Sequence, residues 1–589
     1  MIDTGRHKIK AKVDDDNLKI KFNYFQEDGI DYIELNILSD EKRYFPEVEI
    51  SWLEPIVDIQ SCWYPGTVRD KSLRPDWKST FHSKATSLAP VITFFSQDNR
   101  NRLSVAYSEA LETVEFKMGV HEESGDLNCR IVLFSQNSKK RKSYKAIIRI
   151  DCRDLPYYQA IKDISTWYEN MDNYQPATVP EKAKSPMYST WYSFHQVLND
   201  KEIEKQSEIA KKIGCESVIV DDGWQTNDSN RGYAFCGDWE VSEQRIKNMK
   251  KHVKNIHDLD MKYLLWYSVP FIGINSKAWS KFQDKFLFYA ESRKAGVLDP
   301  RFPEVRNYLI NTYKSAVEKW DLDGLKLDFV DQFDLKNVQE KDIAAAAKKG
   351  RDIESLQEAV DKLMLDIKVS LKEIKDDIMI EFRQKYIGPC MRKYGNIFRV
   401  NDCPNDAITN RVGTIDLRLF SGSTAVHSDM IMWSPEDTVE NASLQLLNVI
   451  FSVPQFSMNF DELSKEHFEM TKFWLGFWKT NKKLLLEGEL KAFSPELMYP
   501  IVSTENDFKK LIAVYDKRVV KIEKDIPDEI ILLNATLNNE LILDLAKEIK
   551  SKNLKIYNCK GKLVETKNIN WQKELVKLKV PPASAVIIN

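Results

Sequence analysis

No apolar stretch in this 589-residue chain approaches the roughly 20 residues needed to cross a bilayer as a helix, so a helical membrane span is not expected. The opening residues, MIDTGRHKIKAKVDDD, lack the apolar centre of a secretory signal. The eight cysteines are scattered, with no CxxC pair and no zinc-type spacing, which makes reduced thiols in the cytoplasm the expectation. Charge of one sign is also lacking. Lys and Arg number 86 against 89 Asp and Glu, a net charge of -3, so there is no basic field for nucleic acid. GxGxxG after a strand, GxxxxGK[ST], HExxH and GxSxG are all missing. Their absence speaks against a dinucleotide fold, a phosphate-binding loop, a zinc protease and a serine hydrolase.

What is present is ordinary globular material, 43% apolar and 30% charged, with enough length for two to four domains. The first 175 or so residues read as short strands rich in Val, Ile, Phe and Tyr, among them NLKIKFNYF, SKATSLAPVITFFS and YKAIIRIDC. A large antiparallel sandwich accommodates them. Residues 173–187, NYQPATVPEKAKSPM, read as a linker. Strands then alternate with helical patterns. Strands are predicted at 188–194, 215–222, 262–269, 323–329, 377–384, 396–402, 424–431 and 454–460, which suggests a (β/α)8 barrel, with a doubly wound sheet as the alternative. The last hundred residues return to short strands. The predicted layout is an N-terminal β-supersandwich over 1–178, a catalytic barrel over 179–482 and a C-terminal β-sandwich over 483–589.

The stretch DLDGLKLDFVDQF, residues 321–333, carries the chemistry. In a strand, Lys326 and Asp328 share one face, and neither charge is stable in a dry core without a partner. Other predicted strands also end in polar groups. They are Asp221 and Asp222 on the second, Trp266 on the third, Glu381 and Arg383 on the fifth, Arg399 and Asp402 on the sixth, and His427 and Asp429 on the seventh. In a barrel these ends converge on one mouth. Carboxylates, charged donors and indoles together suit a sugar, and cleavage of a glycosidic bond needs two carboxyl groups flanking it. Asp328, beside Lys326, suits the nucleophile. Asp402 suits the acid/base, which requires its pKa to be raised in the free protein. A metal–carboxylate barrel using His195, His427 and the aspartates is the alternative chemistry, and a carbohydrate-binding protein without activity is the non-enzyme alternative.

At these residues the sequence resembles the melibiase-type α-galactosidases of glycoside hydrolase family 36, in the clan shared with family 27. VIVDDGWQ (218–225), CGDWE (236–240), LLWY (264–267), VLDP (297–300), GLKLDF (324–329), FRVND (398–402) and AVHSD (425–429) carry the resemblance. It implies a retaining hydrolase that needs no cofactor or metal, acts on α-galactosides and is frequently a homo-oligomer. It also implies that Asp328 is the nucleophile and Asp402 the acid/base. Asp222, with Asp221, would hold galactose hydroxyls, and Trp266, Lys326 and Arg383 would line the sugar subsite. Arg399 and His427 are placed in the same substrate-binding set. The family continues its nucleophile motif with Asn-Arg, where this chain has Val330-Asp331, and its Cys-x-x-Gly-Gly segment is replaced by IEFRQKYIGPCMRKYG (380–395). An α-N-acetylgalactosaminidase or a raffinose-synthase-like transglycosylase are therefore the related alternatives.

Overall fold

The structure, a computed structural model, describes residues 1–136, 139–336, 350–523 and 527–589. The first 151 residues build two six-stranded antiparallel sheets that bury one core between them. Alternation drives the packing. In Val114–Val120 (VEFKMGV), Val114, Phe116 and Met118 are buried while Glu115 and Lys117 stay half-buried. Strand character does not extend to 175 as expected, because Tyr157–Glu169 is a helix whose Tyr157, Ala160, Ile161, Ile164 and Tyr168 form a buried stripe at helical spacing. SKATSLAPVITFFS is also only partly strand: Ser83 ends the strand Thr80–Ser83, and Val91–Phe95 forms another. Residues 84–90 instead form a loop that reaches the barrel.

Eight parallel strands follow: Met187–Ser189, Ser217–Val220, Lys262–Ser268, Gly324–Asp328, Met379–Arg383, Ile397–Arg399, Ala425–His427 and Gln455–Phe456. The first seven pair in chain order, and the eighth pairs with the first. Val453 closes the remaining seam, donating its N–H to Val426 O at 2.8 Å and accepting from Ser428 N at 3.0 Å. The sheet is thus a closed barrel, and the doubly wound alternative falls. Helices lie between strands as the alternation predicts, among them Asp200–Ile213, Met249–His257, Pro303–Trp320 and Leu356–Lys372. Residues 191–194 form a helical turn after the first strand and do not extend it. A three-stranded antiparallel insert follows the third strand, at Phe271–Gly273, Phe286–Ala290 and Ala295–Leu298.

The expected linker is structural. Its 3-10 turn Glu181–Lys184 presents Ala183 to an apolar cluster with Met187, Ile219, Leu264, Met379, Ile397 and Ala425, one inward residue from each of six strands. This cluster is the barrel floor. After the barrel, helix Lys465–Glu487 runs on past residue 482 because its apolar stripe continues through Leu484 and Leu485. A seven-stranded and a three-stranded sheet then pack over a separate core and complete the chain.

Candidate active site

Directly above the apolar floor, two residues further along each strand, the inward positions become polar: Asp221, Lys326, Glu381, Arg399, His427 and Gln455, with Trp266 among them. All are buried, so each charge must be paired within the layer. Lys326 Nζ lies 2.5 Å from Asp221 Oδ2, and Gln455 Nε2 lies 2.5 Å from Glu381 Oε2. Arg399 bridges three acids. Its Nη1 is 2.5 Å from Asp429, its Nη2 2.9 Å from Asp402 and its Nε 3.7 Å from Glu381.

Asp328 sits one layer higher, on the same face as Lys326, as strand alternation predicts. Its Oδ1 accepts from Phe329 N at 2.7 Å, from Arg383 Nε at 2.9 Å and, at short range, from the Tyr386 hydroxyl. Its Oδ2 accepts only from the Trp266 indole, at 3.2 Å, among the described residues. Burial pushes this carboxyl up, but Arg383, Lys326 and the hydrogen bonds of Tyr386 and Trp266 outweigh it and hold the group well below the usual carboxylate range. Lys326 therefore acts on Asp328 through charge while its hydrogen bond goes to Asp221. Phe329, which follows, is held at φ 63°, a left-handed conformation that costs a non-glycine residue about 1 kcal/mol or more.

Asp402 lies at the rim with its side chain 44% exposed. Burial raises its pKa, but the Arg399, Lys326 and Arg383 charges overcome that and the net shift is downward. The raised value expected of an acid is therefore not present, because the Arg399 charge lies beside the carboxylate and donates to Oδ1. Arg383 ties the two halves together, with Nε on Asp328 and Nη1 2.8 Å from Asn401 Oδ1, the neighbour of Asp402.

Three of the expected sugar-binding residues are engaged by the protein itself. His427 is completely buried in the polar layer, its Nε2 2.7 Å from the Ala183 carbonyl of the floor and its Nδ1 3.0 Å from Gln455 Nε2. It braces the barrel and does not reach the mouth; burial lowers its pKa to about 4. Arg399 is 1% exposed and committed to acids, so it positions Asp402 and leaves the cleft to others. Asp222 is buried between two amides, Gln196 Nε2 at 2.7 Å and Gln225 Nε2 at 2.7 Å. Burial raises it to about 7 despite those donors. Gly223 explains the glycine of the DDGW turn. Its φ is +116°, and a Cβ there would lie 2.6 Å from Gln196 Cα. His195 stands on the lip beside Arg231, away from His427 in the buried polar layer, so the two do not form the metal pair the alternative chemistry needs.

Tyr386 was missed. It lies three residues past Arg383 in the segment that departs from the family pattern, and only the aromatic hydroxyl close after an inward arginine marked it. The N-terminal sheets also contribute. Lys84 Nζ reaches the carbonyls of Asp331 (2.9 Å) and Phe333 (3.1 Å) and the Asp334 carboxylate (2.6 Å), and Leu88 N donates to Lys385 O at 2.9 Å. The loops behind Asp328 and Tyr386 are thus held from outside the barrel.

Comparison with known proteins places this constellation. Residues 158–387 match the Melibiase family model. The match covers the first five strands and Asp328. Alpha-galactosidase 2 of Pediococcus pentosaceus is 28% identical over 157 residues, 26% of this chain and 22% of that protein. Alpha-galactosidase AgaA of Geobacillus stearothermophilus is 25% identical over 157 residues, 24% of this chain and 21% of that protein. The sequence matches thus span about a fifth of each relative. The fold match is far longer. The crystal structure of the family 36 AgaA superposes with a TM-score of 0.64 at 14% identity, covering 99% of this chain and 86% of that one. Its variant in complex with raffinose gives 0.63 at 14%, covering 97% and 81%. The three-part fold is that of the family 36 α-galactosidases.

Proposed function

We propose that the chain is a retaining α-galactosidase that releases terminal α-linked galactose from oligosaccharides by double displacement. The observation that carries this reading is the asymmetry of Asp328. Three donors occupy Oδ1, while Oδ2 faces the cleft with one indole N–H, so an ionised carboxylate is fixed with one oxygen free to attack. That oxygen bonds to the anomeric carbon as the bond to the leaving-group oxygen breaks, and Asp402 supplies the proton that the leaving oxygen takes up. In the second step Asp402 takes a proton from water, the water oxygen bonds to the anomeric carbon, and the ester to Asp328 breaks. Net retention follows from two inversions.

Arg399 favours the carboxylate form of Asp402, so its protonation must be favoured by the substrate. A bound sugar covers the exposed part of Asp402, and burial is already the largest influence raising it. The Lys326–Asp221 pair and Trp266 offer a donor, an acceptor and an aromatic face to the sugar. The relatives named alpha-galactosidase and the neighbour solved with raffinose support galactose as the glycone. All eight cysteines are free thiols, which supports a reducing, cytoplasmic setting; among the described residues no helix is long and apolar enough to cross a membrane.

The test is a panel of aryl α-glycosides of galactose, N-acetylgalactosamine and glucose, with the aryl β-L-arabinopyranoside, given to the wild type and Asp328→Asn. Turnover of the galactoside, absent in Asp328→Asn, is expected. Activity on none of them overturns the function, and an active Asp328→Asn overturns the nucleophile.

A further inference from the structure

We propose that the leaving group of the natural substrate carries an anion, a carboxylate or a phosphate, received by a lip of unpaired cations outside the Asp328 pocket. This rests on the glycosidase reading above and specifies its substrate. Arg293, at the end of the turn Glu291–Arg293 in the insert after the third strand, has its guanidinium carbon 4.7 Å from the centre of the Phe329 ring, 5.0 Å from Phe271 and 5.7 Å from Tyr233. Phe329 is the residue after Asp328, and Arg383, the partner of Asp328, lies 5.3 Å from the same ring. Arg293 is therefore fixed beside the pocket by three aromatic rings.

Its N–H groups are not spent on the protein. Among the described residues Arg293 has neither a carboxylate partner nor a side-chain hydrogen bond, although it is half-buried. Other arginines spend their donors on the protein: Arg100 and Arg102 on Asp154, Arg153 on Asp151 and Asp163, and Arg418 on backbone carbonyls. A second guanidinium repeats the arrangement in the loop after the second strand. Arg231 lies 5.8 Å over the Trp191 ring, and its only side-chain hydrogen bond among the described residues is to His195 Nδ1 at 3.4 Å. Its backbone N–H is tied to Gln196 Oε1 at 2.7 Å, the amide that holds Asp222, which fixes the loop to the site. Lys385, exposed beside Tyr386, is a third cation without a carboxylate partner among the described residues.

An arginine stacked on aromatic rings keeps its planar fork of donors for an oxyanion, the geometry that binds carboxylate and phosphate in two-point fashion. In the inner pocket the cations are already spent on acids: Lys326 on Asp221, Arg383 on Asp328, and Arg399 on Asp402 and Asp429. An anion on the glycone would compete with those acids, whereas one on the leaving group meets the lip. The substrate class is thus an α-galactoside with a neutral glycone and an acidic aglycone, such as a uronate or a sugar phosphate.

The test compares 3-carboxyphenyl and 3-phosphonooxyphenyl α-galactosides with the neutral 3-carbamoylphenyl α-galactoside, in the wild type, Arg293→Gln and Arg231→Gln. In the wild type kcat/KM is expected to favour an acidic aglycone by about fivefold at low salt, mainly through KM, and the preference to shrink at roughly 0.5 M salt. In either variant the acidic-to-neutral ratio falls towards one, and because both substrates meet the same protein this ratio is independent of how much of the variant folds. The carboxylate and phosphate arms distinguish the two anions. Turnover of all three with a salt-independent ratio near one in the wild type, or the same ratio in both variants as in the wild type, overturns the proposal and leaves the galactosidase reading intact. Turnover of none overturns that reading and the proposal with it.

Discussion

Lys326 and Asp221 meet across the barrel interior from the fourth and second strands, Nζ to Oδ2 at 2.5 Å, each with its side chain 4% exposed. Each charge is tolerated there because of the other. Asp221→Ala is expected to destabilise the fold by about 3–5 kcal/mol, since it strands a buried ammonium. Lys326→Met in the same background should recover part of that loss. A double-mutant cycle from urea unfolding checks it, and additive single costs would mean the two are not coupled.

Tyr386 donates to the Asp328 oxygen that also takes Phe329 N and Arg383 Nε. Tyr386→Phe removes one of the contacts that depress the Asp328 pKa, so the acid limb of kcat/KM is expected to move to higher pH. The loss of a hydrogen bond to a charged group is expected to lower kcat by about ten- to a hundredfold. A pH–rate profile on an activated aryl galactoside reads both effects, and an unmoved acid limb would remove Tyr386 from the site.

Asp222 titrates near 7 because it is buried, above the ordinary carboxylate value of about 4. Between those values the folded state holds a proton that the unfolded state has lost. The stabilisation from that proton is complete below about pH 4 and disappears as pH rises through 7. The difference in melting temperature between wild type and Asp222→Asn should accordingly shift against the wild type from pH 5 to pH 8. Thermal scans across that range test it, and a constant difference would place Asp222 at an ordinary value.

Lys84 is buried against two loop carbonyls and Asp334. Lys84→Met leaves those acceptors without their donor, and a loss of about 2–3 kcal/mol is expected, with a lower kcat because the loop begins two residues after Asp328. Calorimetry and steady-state kinetics check the pair. A stable variant with reduced kcat would locate the effect in the loop, whereas full activity would show that the loop holds its place without Lys84.

The barrel was legible because its strands bring their polar residues to one end, and Lys326 and Asp328 were legible as a same-face pair because side chains alternate with period two. Depth was not legible. His427 and Arg399 were placed on the correct face, but which layer of the barrel they occupy depends on the stagger between strands, which no single strand encodes. Tyr386 and Lys84 lie in loops, where no periodicity reports direction. The charge state of Asp402 was not legible for a related reason. Its partner Arg399 was visible three residues away, yet that this arginine is anchored to Asp429 and Glu381 and aimed at Asp402 is settled by segments distant in sequence.

The clamp of Lys84 and Leu88 on the loops after the fourth and fifth strands has a consequence for the order in which the chain is made. A ribosome releases the last strand of the two N-terminal sheets, which ends at Asp151, about 180 residues before the loop that Lys84 grips begins at Asp331. Domains fold as units, N-terminal first, during synthesis. The sheets can therefore stand as a finished edge when Asp331, Phe333 and Lys385 emerge, and those late segments settle against a mould that is already rigid.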